Sequence, residues 1–229
     1  MSNFIANAAL VEPKVGLKSK FNKMLRSVGL LLCFVTAAVL QVNVANAMEA
    51  PESVVKRTVN EIVKNIQTNR SAYQSNTNAL YGMVETTLVP AIHVDRMSGL
   101  ILGKSFKTAT AQQKKDFAAE FQTFLIRSYA TALLDYTGDQ KVNYLPVNAA
   151  ADADKVKIMA ELIAADGQKY EINLFMSNRG DTKWRAYNVQ VAGINFVSTY
   201  RANFGAVITQ KGVDGLIADL KQKNAKLGS

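Results

Sequence analysis

The chain has 229 residues, 48% apolar and 20% charged, with 27 basic against 18 acidic side chains. Those proportions belong to a globular protein and exclude a disordered chain, and the length suits one domain preceded by a targeting segment. One cysteine and one histidine leave little material for disulfides, thiol chemistry, histidine-based catalysis or a zinc site.

The N-terminal region reads as an export signal. Lys18, Lys20, Lys23 and Arg26 precede an uncharged apolar run from Val28 to Leu40, and Ala45, Asn46 and Ala47 close it. A basic segment, a short apolar stretch and a small-residue ending mark a secretory signal, so residues 1–47 are expected to be removed and 48–229 to form a single domain. A start at Met24 would give a compact signal by itself. The apolar run of 13 residues is too short to span a bilayer comfortably. Cys33 lies inside it and is expected to leave with it. Five bases and one acid precede Met48, which lowers the net charge from +9 to +5 for the remainder. That mild excess suits anionic surfaces or acidic partners, and no basic run interleaved with aromatics argues for nucleic acid.

After Met48 the periodicity predicts a helix from Pro51 carrying Val55, Val59, Ile62, Val63 and Ile66 on one face. The polar stretch TNRSAYQSNTN (residues 68–78) is expected to break it. A short helix from Asn78 stops at Pro90. A third runs from Val94 to Leu102, with Asp95 as its expected N-terminal cap and Gly103 as its stop. The clearest helix spans Ala111 to Tyr136. Thr110 and Gln113 have capping-box spacing, Gly138 follows its end, and Phe117, Phe121, Leu125, Tyr129 and Leu133 form its stripe. At 1.5 Å per residue it would be about 40 Å long.

The pattern then changes to period two. VNYLPV (Val142 to Val147) reads as an edge strand because of Pro146. VKIMAELIA (Val156 to Ala164), a turn at Asp166 and Gly167, and KYEINLFMS (Lys169 to Ser177) read as a hairpin, and KWRAYNVQVA (Lys183 to Ala192) as a further strand. Two helices follow, Asn195 to about Lys211 and Val213 to Lys223. Helices, an antiparallel meander and more helices describe an α+β fold. The expected form is N-terminal and C-terminal helices around a curved antiparallel sheet enclosing an apolar pocket, like the nuclear-transport-factor or cystatin cone. The stripes themselves suit a filled core as well as a pocket wall. Met159 and Met176 would make such a wall adaptable.

No catalytic motif of the nucleophile-elbow, P-loop, zincin or dinucleotide type is present. His93, alone at a helix boundary, has no triad to join. Asp152 and Asp154 lack the further ligands of a calcium site. Glu161 and Glu171 are the carboxylates a small α+β isomerase could use, but alternation puts Glu171 with Lys169 and Asn173 on a wet face.

Two blocks carry a family resemblance. WRAYNVQVAGINFVSTYRANFGAVITQKGVDGLIADL (Trp184 to Leu220) and DRMSGLILGKSFKTATAQQKKDFAAEFQTFLIRSYATAL (Asp95 to Leu133) resemble the MlaC, or toluene-tolerance, phospholipid-binding proteins. Gly193, Ile194, Phe196, Val197, Tyr200, Arg201 and Phe204 follow that pattern, as do Leu102, Gly103, Thr110, Gln113, Phe117, Phe121, Leu125 and Tyr129. Asn188 departs from it, since the family position is expected to hold an Asp. The resemblance implies a periplasmic, monomeric carrier without catalytic activity, metal or organic cofactor, whose cargo is phospholipid. Its implied partners are an outer-membrane lipoprotein–porin complex and the membrane-anchored substrate-binding component of an inner-membrane ABC transporter. The implied work is to maintain outer-membrane lipid asymmetry. The acyl chains would meet Phe117, Phe121, Leu125, Tyr129 and Leu133, the strand residues Ile158, Leu162, Ile172 and Leu174, and Phe196, Val197, Tyr200 and Phe204. Arg201 would be a salt-bridge partner or a headgroup contact. A periplasmic chaperone or an isomerase-like enzyme are the alternatives.

Overall fold

A computed structural model describes residues 48–147, 149–150 and 152–228; the expected signal segment lies outside them. Helix α1 (Pro51–Ser75) begins with proline in its first turn and buries Val54, Val55, Ile62, Val63 and Ile66. The polar stretch breaks it, but only at one residue. It kinks at Asn69 (φ −120°, ψ 18°) and continues to Ser75, because Arg70 donates to the carbonyls of Leu134 and Tyr136 and Tyr73 is buried. Tertiary contacts here override a weak local preference. Asn76 then caps α2 (Thr77–Thr87), its side chain accepting from the Ala79 amide at 3.2 Å, and a 3₁₀ turn at Val89–Ala91 accommodates Pro90.

Helix α3 spans Val94–Leu102 and stops at Gly103, whose φ of +58° favours glycine. Asp95 sits in the first turn, two residues past the capping position. His93 holds the capping position without a side-chain bond. Helix α4 (Ala111–Tyr129) has the expected capping box: the Gln113 amide donates to Thr110 Oγ1 at 3.1 Å, and the Thr110 amide donates to Gln113 Oε1 at 2.9 Å. It is shorter than the sequence suggests. Its 19 residues extend about 28 Å, and a 3₁₀ segment, Ala130–Asp135, stands where the last α-helical turns were expected.

The sheet contains β1 (Lys141–Tyr144), β2 (Lys155–Ile163), β3 (Lys169–Ser177), β4 (Arg185–Val191) and β5 (Ile194–Asn195), ordered β1-β2-β3-β4-β5 and antiparallel throughout. It is curved and unclosed, with β1 at one edge as expected. The β2–β3 hairpin pairs from Lys155↔Ser177 to Ile163↔Lys169. A register shift at Phe175/Met176 bends the β3–β4 ladder. Ala192 (φ 48°) and Gly193 (φ 80°) make the two-residue turn into the short β5, both residues left-handed as a type I′ turn demands. Helix α5 (Phe196–Leu227) is two helices in one. Gly212 (φ 71°, ψ −178°) breaks it where the sequence separates Lys211 from Val213. Among the described residues no helix is long and apolar enough to cross a membrane.

Candidate functional site

The sheet offers one continuous apolar row. Tyr144 pairs with Ala160, Ala160 with Ile172, Ile172 with Val191, and Val191 with Ile194, so the row crosses all five strands. The neighbouring row runs Ile158, Leu174, Val189. Strand alternation puts these side chains on one face. Ile158 and Leu162 are fully buried and Ile172 nearly so, whereas Leu174, Val189, Tyr144 and Ile194 are half-buried. Met176 shares this face, opposite Val156. Met159 does not. It pairs with Asn173, because a residue adjacent to Ile158 in a strand must point the other way.

The second surface belongs to α4 and the start of α5. Phe117 stacks on Phe121 with centroids 5.6 Å apart, and Phe204 meets both edge-on at 6.0 and 5.8 Å. Tyr200 lies 5.2 Å from Phe121 and 4.7 Å from Phe196. Offset and edge-on geometries are those the ring quadrupole favours. Val197 is buried in the same cluster, while Leu125, Phe124 and Phe196 pack on it half-buried. The Tyr129 and Tyr200 hydroxyls are 2.6 Å apart. Burial raises the pKa of both phenols, most strongly that of Tyr200.

Twelve of the thirteen expected wall residues therefore lie on these two surfaces, and Leu133 does not. It packs with Ile62, Ile66, Leu80 and Tyr136 between α1 and α2. The cause is the change to 3₁₀ geometry after Tyr129. At 120° per residue in place of 100°, four residues turn the side chain about 80° away from the α-helical stripe. The two surfaces form separate clusters: Leu162 and Ile172 pack with other strand residues, Ile158 with strand residues, Trp184 and the first turns of α1, and the helical rings with one another. Helix α1 covers the Ile158 end of the sheet through Val54 and Val55. Among the described residues, the cluster around Leu162 and Ile172 includes no helix residue. A cavity beside Phe204, lined also by Val207, Leu216 and Leu220, measures about 10 Å³. Sequence reasoning missed Tyr144, Val189 and Ile194; the alternation in VNY and NVQV was the available signal, obscured at β4 by the register shift.

The polar candidates make contacts within the fold. Arg201 is exposed, and its Nε donates to the Leu100 carbonyl at 2.5 Å, tying α5 to the last turn of α3 where a cation is favoured; no ion pair holds it among the described residues. Asn188 Oδ1 accepts from the Val197 amide at 3.1 Å, so an amide fills the position where a carboxylate was expected. Asn173 is buried rather than wet. Its Nδ2 donates to the exposed Glu171 at 2.6 Å, and its Oδ1 lacks a partner among the described residues. Asp154 pairs with Arg179 at 2.5 Å. The His93 amide donates to the Ala186 carbonyl at 2.8 Å. Among the described residues no three His, Cys, Asp or Glu side chains converge as metal ligands do.

Comparison with known proteins agrees with this picture. The intermembrane phospholipid transport system binding protein MlaC of Haemophilus influenzae is 25% identical over 194 residues, 84% of this chain and 90% of its own length. The toluene tolerance protein ttg2D of Pseudomonas putida is 28% identical over 169 residues, 73% of this chain and 77% of its own. A solved phospholipid-binding protein from Ralstonia solanacearum, in complex with a phospholipid, superposes with a TM-score of 0.71 at 26% identity, covering 79% of this chain and all of its own. The model of the MlaC protein family matches residues 56–222, well over half of the sequence, and the chain belongs to that family.

Proposed function

We propose that the protein is a periplasmic phospholipid carrier, moving lipid between an outer-membrane lipoprotein–porin complex and an inner-membrane ABC transporter, and that it has no catalytic activity. The observation that carries this reading is the likeness, over 79% of the chain, to a protein solved with a phospholipid in it. Physical need points the same way. Removing one acyl methylene from hydrocarbon into water costs about 0.8 kcal/mol, so two chains of about 16 carbons cost on the order of 25 kcal/mol. A carrier must replace the bilayer with an interior of similar apolarity, leaving exchange nearly neutral. The aromatic surface of α4 and α5 and the apolar sheet face are suitable material. Nothing favours the chaperone or isomerase alternatives over this reading.

Native mass spectrometry of protein prepared from the periplasm tests the proposal. Co-purified phospholipid at about one molecule per chain is expected. An empty protein, or one holding polypeptide, would count against it. Cross-linking in cells should place the two membrane complexes against it, and their absence would remove those partners.

A further inference from the structure

Among aromatic rings that need no polar neighbour, the Tyr129 and Tyr200 hydroxyls stand out. They meet each other at 2.6 Å, and either can donate. Two phenols carry two O–H donors between them, and one bond uses one of them. The second proton has no acceptor among the described residues. Tyr200 is 5% exposed and its ring touches Phe121, Phe124, Phe196 and Phe204. Tyr129 is half-buried beside it, and a donor left unmade in such apolar surroundings is costly, whereas phenylalanine would fill the place at no such cost. Burial also keeps both phenols protonated, so the donor persists at any ordinary pH.

We infer that the spare O–H of the Tyr129–Tyr200 pair donates to a neutral acceptor oxygen of the bound lipid, an acyl ester carbonyl. This rests on the phospholipid reading above. The chemistry of the surroundings chooses the ester over the phosphate. Four phenylalanine rings and Val197 pack around Tyr200, where an anion would be stripped of water. The Lys223 ammonium lies over the Phe124 ring, 5.8 Å from its centroid, and the Tyr200 hydroxyl bonds to that of Tyr129, whereas an ester carbonyl needs only the single donor the pair offers. The pair thus fixes how deep the glycerol end of the lipid sits, while the hydrocarbon below it is held without specificity.

The test is a competition between two lipids of equal headgroup and chain length, a diester phosphatidylglycerol and its dialkyl ether analogue, which lacks both carbonyls. Delipidated protein is reloaded from an equimolar mixture and the bound ratio read by native mass spectrometry. The intact protein should prefer the ester by about three- to tenfold, the worth of one hydrogen bond. The double variant Tyr129→Phe/Tyr200→Phe should bind both lipids with a ratio near one. Removing both members of a hydrogen-bonded pair and keeping their shape is close to neutral for folding, and both rings remain. The bound ester carbonyl stretch should also lie lower in the intact protein than in the variant. Equal binding of both lipids by the intact protein overturns the inference on its own. So does an ester preference that survives in the double variant. An intact protein that takes up neither lipid would instead sink the phospholipid reading.

Discussion

The imidazole of His93 is held below its ordinary pKa by burial, with Arg185 and Arg96 adding to the shift and Asp95 and Asp181 opposing it. The unfolded chain therefore takes up a proton more readily than the folded one as pH falls past the ordinary histidine value of about 6.5. Stability contributed by the neutral ring is present above that value and is lost progressively as pH drops toward the folded pKa. Since the sequence has a single histidine, thermal midpoints from pH 7.5 to 5.5 should fall in the intact protein and stay flatter in His93→Gln. Equal slopes would show that another group titrates. Phospholipid content should be the same in both, because a carrier of this kind needs apolar volume and no titrating side chain. Asn188 gives a second residue-scale test. Its Oδ1 caps the Val197 amide at the start of α5, and a carboxylate in that place would keep the bond and meet the positive end of the helix dipole. Asn188→Asp should stabilise the fold by about 0.3–1 kcal/mol in urea unfolding at neutral pH, and Asn188→Ala should cost about 1 kcal/mol. A destabilising aspartate would mean that burial outweighs the dipole.

At the scale of elements, what local chemistry governs was legible. The Thr110–Gln113 box, the Gly103 stop, the β2–β3 hairpin and the break between Lys211 and Val213 all depend on residues within a few positions of one another. What distant residues govern was not. Arg70 anchors the last turns of α1, past the break at Asn69, by bonding the carbonyls of Leu134 and Tyr136 more than sixty residues away, and the 3₁₀ segment after Tyr129, which ends there, rotates Leu133 off its stripe. Two glycines of α5 test the local half of this account. A Cβ at either Gly205 or Gly212 would meet nothing within 4 Å, so only the backbone decides. Gly205 has helical geometry, and Gly205→Ala should stabilise by about 0.5–1 kcal/mol. Gly212 lies at φ 71°, ψ −178°, a region essentially reserved for glycine, and Gly212→Ala should destabilise by about 1–3 kcal/mol. Urea midpoints with unchanged slopes would measure both; the same sign for the two would refute the break.

For the whole molecule, the sequence supplied two surfaces and a family, and left open whether the surfaces bound a filled core or a lipid. Periodicity located Phe117, Phe121, Tyr200 and Phe204 on one surface and Ile158, Leu162, Ile172 and Leu174 on the other. It could not tell that the two would pack separately, since alternation reports burial and not what does the burying. Leu174 and Ile158 separate the readings, because they are direct partners in the β2–β3 ladder with different surroundings. Ile158 is 0% exposed beneath Val54 and Val55 of α1. Leu174 is half-buried, at the junction between the α1-covered cluster and the one that only strands form. A carboxylate at Ile158 has no room for itself and its water, and Ile158→Glu should cost several kcal/mol and leave little folded protein. At Leu174 the carboxylate can keep part of its hydration, so Leu174→Glu should fold with a modest fall in thermal midpoint. That hydration brings water into the place the acyl chains would occupy, and phospholipid per chain should drop to a small fraction of the intact protein's. Thermal midpoint and bound phosphorus measured on the same samples decide the matter. A folded Leu174→Glu protein with undiminished lipid would take Leu174 out of the site, and one as unstable as Ile158→Glu would make this face ordinary core.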